Sequence, residues 1–453
     1  MNLTVEKMAD TISAISTAHG VSSLSVIRVS GDKSYSIAKK ISKLNNIIPR
    51  HATLNSLYDS SDELIDQAII IYFVSPKSFT GEDIVEFQCH GGLIVAQMVL
   101  DRTVELGARL ATAGEFSKRA FINGKIDLTK AEATAKLIEA KSVSAGKILA
   151  RQMRGELKIF VDKTRDSLLK SLAYSEVMID YAEEDIPDDI LESLTNQLNN
   201  LDIKLNNIVQ TSLRRRGLID GFKVAIIGKP NVGKSSLLNS LLSYDRAIVS
   251  DIAGTTRDTI EEQIRIDSHI IRLIDTAGIR KAQDKIEKIG IERSISSIDE
   301  ADIIISIFDG SREFDNEDEK ILSLLENTED KHIIVVINKS DLDNILDINS
   351  LKKYNPLFIS TKKDVNIVTD KLTNLLNSIG DIDDIMLIST RQIEAVTVAR
   401  DSIIKAKEPL QNGELEFFSY HLNDSLVAIS SISKPYNSEE ILDKMFGEFC
   451  LGK

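Results

Sequence analysis

A short apolar run, Val224-Ala225-Ile226-Ile227, feeds directly into GKPNVGKSS at 228–236, and this junction constrains the fold more than any other stretch of the chain. An uninterrupted apolar run of this length suits a strand buried on both faces, as in a parallel sheet. Gly228 opens the loop, and Gly233 lets backbone amides approach an anion closely. Ser235 to Leu242 predicts an amphipathic helix, whose N-terminus favours negative charge. Lys234 would then sit on the β- and γ-phosphates, and the Ser235 hydroxyl would hold Mg²⁺. A ligand-free Gly-rich turn before a helix is the alternative, and the flanking strand and helix weigh against it.

Three later segments, in fixed order, turn a phosphate cradle into a guanine-nucleotide site. Ile270, Ile271, Leu273 and Ile274 predict a strand ending in Asp275-Thr276-Ala277-Gly278. There Asp275 would reach Mg²⁺ through water, and the Gly278 amide would sense the γ-phosphate. A strand from Ile333 to Ile337 ends in Asn338-Lys339-Ser340-Asp341. A carboxylate at Asp341 can accept from guanine N1 and N2 hydrogens, a pair adenine does not offer, so GTP is expected over ATP. Ser360, Thr361 and Lys362 fit the last base-contacting loop. The expected nucleotide contacts are Asn231, Val232, Gly233, Lys234, Ser235 and Ser236 in the cradle. Ser250, Asp251, Ile252, Ala253, Gly254, Thr255 and Thr256 follow in a first switch.

Small GTPases place a water-orienting Gln just after this DTAG segment, but here the position is Ile279. An apolar side chain cannot orient water. Asn231 inside the cradle, with the 251–256 switch, suggests a bound K⁺ held by the Asn231 side chain and switch carbonyls. Glu287 is a candidate to position the attacking water beside the catalytic Lys234, although its spacing reads equally as a solvated helix charge.

At 453 residues the chain should hold about three domains. Only two cysteines, Cys89 and Cys450, argue against a disulfide scaffold and fit a reducing cytoplasm. No apolar run approaches a membrane span, and Met1 to Gly20 lacks a signal-peptide pattern. A net charge of −14 disfavours non-specific coating of nucleic acid, yet leaves room for RNA held by a local basic patch or a partner. Six scattered histidines make no metal-ligand cluster.

Four stretches separate along the chain. Residues 1–121 mix strands (Ser25 to Val29, Ala68 to Val74, Ile84 to Cys89) with a helix at Leu93 to Leu106. Residues 122–216 turn helical, interrupted by the acidic stretch Asp180 to Asp189 with Pro187. Arg214, Arg215 and Arg216 at its end read as a solvated linker or, alternatively, an RNA contact. Residues 217–380 carry the GTPase pattern, and 381–453 return to helical periodicity. An α/β module between two helical stretches suggests an insertion, with the flanking helices packed together.

The ends carry further motifs: SFTGEDIVEFQCHGG at 78–92, GEFSKRAFINGKIDL at 114–128 and FCLGK at 449–453. Together with GKPNVGKSSLLN and DIAGTTRD, these resemble the tRNA-modification GTPase MnmE (TrmE) family over essentially the full length. The resemblance implies an α/β multidomain fold: a Ras-like P-loop GTPase domain inserted in an α-helical domain, preceded by an α+β folate-binding N-terminal domain that dimerises. It implies a homodimer that joins a MnmG-type flavoprotein, carrying FAD, in a heterotetramer. That pair would install an aminomethyl-type group at C5 of the wobble uridine of certain tRNAs. The one-carbon unit would come from a tetrahydrofolate, in its 5,10-methylene or 5-formyl form.

By the same resemblance, Arg28, Glu86, Lys125 and the terminal Lys453 would contact folate, with Cys450 nearby as a candidate functional thiol. K⁺ would be held by Asn231, Ser250, Ile252 and Thr255, Mg²⁺ by Ser235 and Thr256, and water by Glu287. One departure stands out: the family's early Pro-Gly-Arg-Gly-Gly-type turn is here Ala18-His19-Gly20-Val21-Ser22-Ser23. The rival readings are a ribosome-assembly or other RNA-associated GTPase, and a purely regulatory switch. Both leave the terminal FCLGK and the folate motifs unexplained.

Overall fold

The computed structural model describes residues 10–18, 20–180, 188–244, 262–274, 297–328, 331–363, 365–380, 385–434, 439–447, 449 and 452. The chain forms two compact units, one of residues 1–138, 152–187 and 401–453, the other of 139–151 and 188–400.

In the first unit, strands β1 (Ile12–Ile15), β2 (Leu24–Ser30), β3 (Thr53–Tyr58), β4 (Leu64–Phe73), β5 (Ile84–His90) and β6 (Arg109–Leu110) form one sheet in the order β3-β4-β5-β2-β1-β6. All neighbours run antiparallel except β1 and β6. Alternation sets the faces. Ile27, Val29, Val85, Phe87 and Cys89 are buried in a core shared with the helices Ser34–Ser42 and Leu93–Glu105. Arg28 and Glu86, at alternate positions, share the opposite face and lie directly across from each other in register.

On that side sits the helix Glu115–Ile122, from the GEFSKRAF motif. Its Arg119, 1% exposed, donates to Asp10 Oδ1 at 2.7 Å, Glu115 Oε1 at 3.0 Å and Glu82 Oε1 at 3.2 Å. Arg109 closes the cluster on Glu115 with bonds of 2.6 and 2.9 Å. A fully desolvated guanidinium persists only when carboxylates surround it.

The chain's end returns to this unit. Phe446, on the helix Glu439–Gly447, packs with Leu128 and Ala131 and meets Phe449 edge to face, with ring centres 5.1 Å apart. Lys118 pairs with Asp443. The Ser16 hydroxyl donates to the Gly452 carbonyl at 3.1 Å, a link across 436 residues. The helices Glu156–Asp180 and Leu415–Ser430 also pack together, with Ser175 and Ser419 hydroxyls 2.5 Å apart. Chain segments before and after the nucleotide-binding module thus meet, as an insertion requires.

In the second unit, β7 (Phe222–Ile227), β8 (Glu262–Ile266), β9 (His269–Leu273), β10 (Ile303–Asp309), β11 (His332–Asn338) and β12 (Leu357–Phe358) form a sheet in the order β12-β11-β10-β7-β9-β8. Only β8 runs antiparallel to its neighbour. This is the Ras-like arrangement, with β7 central. Val224, Ile226, Ile303, Ile305 and Ile307 face one layer with helices Lys234–Tyr244 and Asn366–Gly380. Ala225, Ile227, Ile304 and Phe308 face the other, with helix Asn316–Glu326. Burial on both faces explains why these strands read as continuous apolar runs.

Burial works to raise the Glu115 pKa, but Arg109, the Thr112 amide and Arg119 outweigh it and bring the carboxyl down to about 2. Glu115 therefore contributes stability that is complete above about pH 4.5 and is lost as pH falls toward about 2. Arg119→Met should destabilise the protein by about 3–5 kcal/mol by stranding these carboxylates. Its melting temperature should recover partly below pH 4, whereas a melting curve like that of the parent chain at pH 7 would contradict the cluster's role.

Candidate functional site

The loop after β7 is held by two close backbone approaches. Gly228 has φ +150°, and a β-carbon there would lie 2.5 Å from the Ile307 carbonyl oxygen. Gly233 has φ +110°, and a β-carbon there would lie 2.1 Å from Asn338 Nδ2. Between them Asn231 takes a left-handed φ of +61° with its side chain exposed. Such a chain of turns concentrates N–H groups into an anion-binding concavity. Helix Lys234–Tyr244 starts at its rim, so the helix dipole adds to it.

Lys234 Nζ donates to the carbonyls of Gly228 and Lys229, each at 2.7 Å. No ion pair joins it to a carboxylate among the described residues, and burial lowers its pKa to about 8. A phosphate placed in the concavity supplies the missing counter-charge. Lys229, two turns of loop away, points elsewhere: its ammonium meets Asp315 at 2.8 Å and Asp318 at 2.7 Å.

The second half of the site hangs on β10 and β11. Asn338 closes β11 and is 2% exposed. Its Nδ2 donates to the Val232 carbonyl at 2.8 Å and to Thr361 Oγ1 at 3.2 Å, and its Oδ1 accepts from the Thr361 amide at 3.0 Å. One side chain thereby joins the phosphate loop, the NKSD turn and the Ser360-Thr361-Lys362 loop. Lys339 has φ +67°, and its ammonium meets the buried Asp309 carboxylate at 2.5 Å. Asp341 is exposed, and its carboxyl is held below the ordinary range chiefly by the neighbouring Ser360 hydroxyl, with Lys363 and Lys362 assisting. An ionised, outward-facing carboxylate beside a fixed loop can accept two N–H groups from a flat ring.

In the first unit, Arg28 Nε donates to Glu86 Oε1 at 2.9 Å, with a second nitrogen at 2.8 Å. The guanidinium lies 5.6 Å from the Phe79 ring centre and 5.7 Å from that of Phe116. Both charged side chains keep about a fifth of their surface open, at 21% and 17%. Lys125 runs its stem against Gly81, where a β-carbon would meet it at 3.2 Å. The carbonyl of Phe446 approaches Gly114 so closely that a β-carbon there would sit 2.2 Å away. A β-carbon on Gly452 would sit 2.4 Å from the Ile15 carbonyl, on the strand whose Ala14 pairs with Arg28. Ser22 and Ser23, in the stretch that departs from the family's early turn, are tied to the HGG segment by Ser22 N to Gly91 O at 3.0 Å and Gly91 N to Ser23 O at 3.3 Å.

The structure thus unites Asn231, Val232, Gly233, Lys234, Asn338, Lys339, Ser360 and Thr361 at one end of the parallel sheet, and Arg28 with Glu86 on another. Ser250, Asp251, Ile252, Ala253, Gly254, Thr255, Thr256, Asp275, Thr276, Ala277, Gly278, Ile279, Glu287, Cys450 and Lys453 lie outside the described residues. Sequence reading gave no role to Lys229 inside the GKPNVGKSS motif, and it missed Asp309, Asp315 and Asp318, which lie in no quoted motif. It also missed Phe79 and Phe116, although both flank quoted motif residues.

Residues 11–125 match the family described as "GTP-binding protein TrmE N-terminus", and residues 128–450 match "MnmE helical domain". A "tRNA modification GTPase MnmE" of Sulfurovum sp. (strain NBC37-1) is 69% identical over 448 residues, covering 99% of this chain and 100% of the relative. Proteins of the same name are 59% identical in Aliarcobacter butzleri (98% and 99% covered) and 50% identical in Campylobacter jejuni (98% and 100% covered).

Because phosphate binding favours charged Lys234, affinity for GTP should fall as pH rises through about 8, by up to about tenfold per unit. Titration calorimetry between pH 7 and 9.5 should show proton uptake on binding; flat affinity would mean Lys234 is already fully charged. Gly233→Ala should weaken binding by about tenfold or more, through both strain and collision with Asn338.

Proposed function

The chain belongs to the MnmE family of tRNA modification GTPases, and we propose that it hydrolyses GTP to GDP and phosphate in the service of wobble-uridine modification. The observation that supports this best is the Asn338 bridge, which fixes a guanine-reading turn at a set distance from a phosphate loop. In this reading Lys234 neutralises the β- and γ-phosphates, the loop amides up to Ser236 orient them, and Asp341 selects guanine. Lys362 and Thr361 line the base, and Lys339 lies along it.

Magnesium suits the Ser235 hydroxyl at the helix start, with Thr256; when bound it offsets charge on the phosphate oxygens. Potassium suits the exposed amide of left-handed Asn231, with Ser250, Ile252 and Thr255, and supplies the positive charge that other GTPases draw from an arginine finger. Glu287 positions water in place of the glutamine that Ile279 replaces.

The N-terminal domain, 1–121, binds a tetrahydrofolate one-carbon carrier and dimerises. Arg28 and Glu86 fit such a ligand because their outer edges remain open while Phe79 and Phe116 hold the guanidinium in place. Lys125 and Lys453 pair with its carboxylates, and Cys450 stands beside them as a candidate functional thiol. The helical domain comprises 122–216 and 381–453, and the GTPase domain 217–380. The working assembly is a homodimer joined by a MnmG-type flavoprotein carrying FAD, acting on tRNA in the cytoplasm. Among the described residues, no helix is long and apolar enough to cross a membrane.

Turnover of GTP should be markedly faster in K⁺ than in Na⁺; equal rates would remove the cation site at Asn231. Glu287→Ala should keep GTP affinity near that of the parent chain while slowing hydrolysis by about 10²-fold or more, and unchanged turnover would refute its role. Mass spectrometry of tRNA from a deletion strain should show loss of the wobble-uridine modification. Folate binding by the parent chain but not by Arg28→Ala would exclude a purely regulatory or ribosome-assembly GTPase.

A further inference from the structure

We propose that Lys229 is a positioning residue for the phosphate loop, held by Asp315 and Asp318 so that its own backbone carbonyl is presented to the Lys234 ammonium. The proposal rests on the reading of 228–236 as a phosphate cradle and adds residues outside that loop to its machinery.

Four observations converge on it. The Lys229 side chain is 7% exposed and meets two carboxylate oxygens, at 2.8 and 2.7 Å. Its carbonyl accepts from Lys234 Nζ at 2.7 Å. Asp315 is the N-cap of helix Asn316–Glu326 and Asp318 lies in its first turn, and the two already form a capping box. Just before them, Phe314 stacks on Phe308 of β10, with rings 6.3 Å apart and 16° from parallel, so the clamp is anchored to the sheet.

The chemistry argues for position rather than stability. Asp318 is 3% exposed and, among the described residues, its Oδ1 has no hydrogen-bond partner. Retaining a half-satisfied buried carboxylate is costly, and an apolar contact of similar volume would stabilise the fold as well. What the ion pair adds is a defined place for the Lys229 peptide. It also turns a second ammonium away from the concavity, leaving Lys234 alone to meet the phosphates. With Gly228 seated on Ile307 and Gly233 seated on Asn338, Lys229 provides a third anchor in the loop's first half. A cradle fixed in advance loses less entropy on binding.

The test uses the full chain with Lys229→Met, Asp318→Asn, Asp315→Asn and Lys229→Arg. Readouts are fluorescent GTP and GDP affinity, steady-state kcat and KM, and melting temperature without nucleotide. Lys229→Met and Asp318→Asn should weaken both nucleotides by about tenfold and raise KM in step, with kcat within about twofold. Asp315→Asn, whose carboxylate is 55% exposed, is the variant that keeps the fold, and it should weaken binding by about threefold. Lys229→Arg should restore affinity to within about twofold. Lowered melting temperature with nucleotide affinity unchanged in Asp315→Asn and Asp318→Asn overturns the clamp. A parent chain that binds no guanine nucleotide overturns the cradle reading along with it.

Discussion

The Asn338 side chain occupies the space that a β-carbon on Gly233 would need, and the nucleotide site depends on that contact. It requires glycine at 233, a buried amide at the end of β11, and two parallel strands, β7 and β11, kept apart by β10. Without the intervening strand the two loops would collide; without the glycine they could not touch. The amide has two donors and one acceptor, and here it spends them on Val232 and on Thr361. The phosphate loop, the NKSD turn and the last base loop are thus joined through one side chain.

The Arg28–Glu86 face obeys a different constraint. Arg28 and Glu86 are cross-strand neighbours on the side of the sheet opposite the helices Ser34–Ser42 and Leu93–Glu105, so their charges need not be buried in the main core. The side they share is covered by the helix Glu115–Ile122, and that helix is held by a buried guanidinium among three carboxylates. Phe116, on the same helix, lies under Arg28. The buried cluster and the open pair are therefore parts of one arrangement: the first fixes the helix, and the helix supports the second.

The strands around the nucleotide site were legible because both faces of the sheet are covered, which makes them apolar without interruption. The observed strands begin or end within a residue or two of the expected ones, as at Phe222–Ile227 against Val224 to Ile227. The N-terminal strands expected at Ser25 to Val29 and Ile84 to Cys89 are found at Leu24–Ser30 and Ile84–His90. Lys229 and Asp309 were not legible. Their partners lie 86 and 30 residues away in sequence, and nothing local marks a lysine as paired. Arg119, within the quoted GEFSKRAF motif, is among the largest fully buried side chains, and nothing in its local sequence marks that burial.

By itself the sequence determined the local elements: an apolar strand running into a glycine loop and a helix at 222–244, a second strand ending in NKSD, and the motifs that mark the family. These follow from local spacing, because strand, loop and helix are each set by residues close together in the chain. The tertiary structure decided which groups meet. It set Gly452 against Ile15 and Phe446 against Gly114, and it enclosed the Lys229 ammonium between two aspartates. Such pairings depend on packing between elements far apart in sequence, where burial and the need to satisfy each charge select the partner.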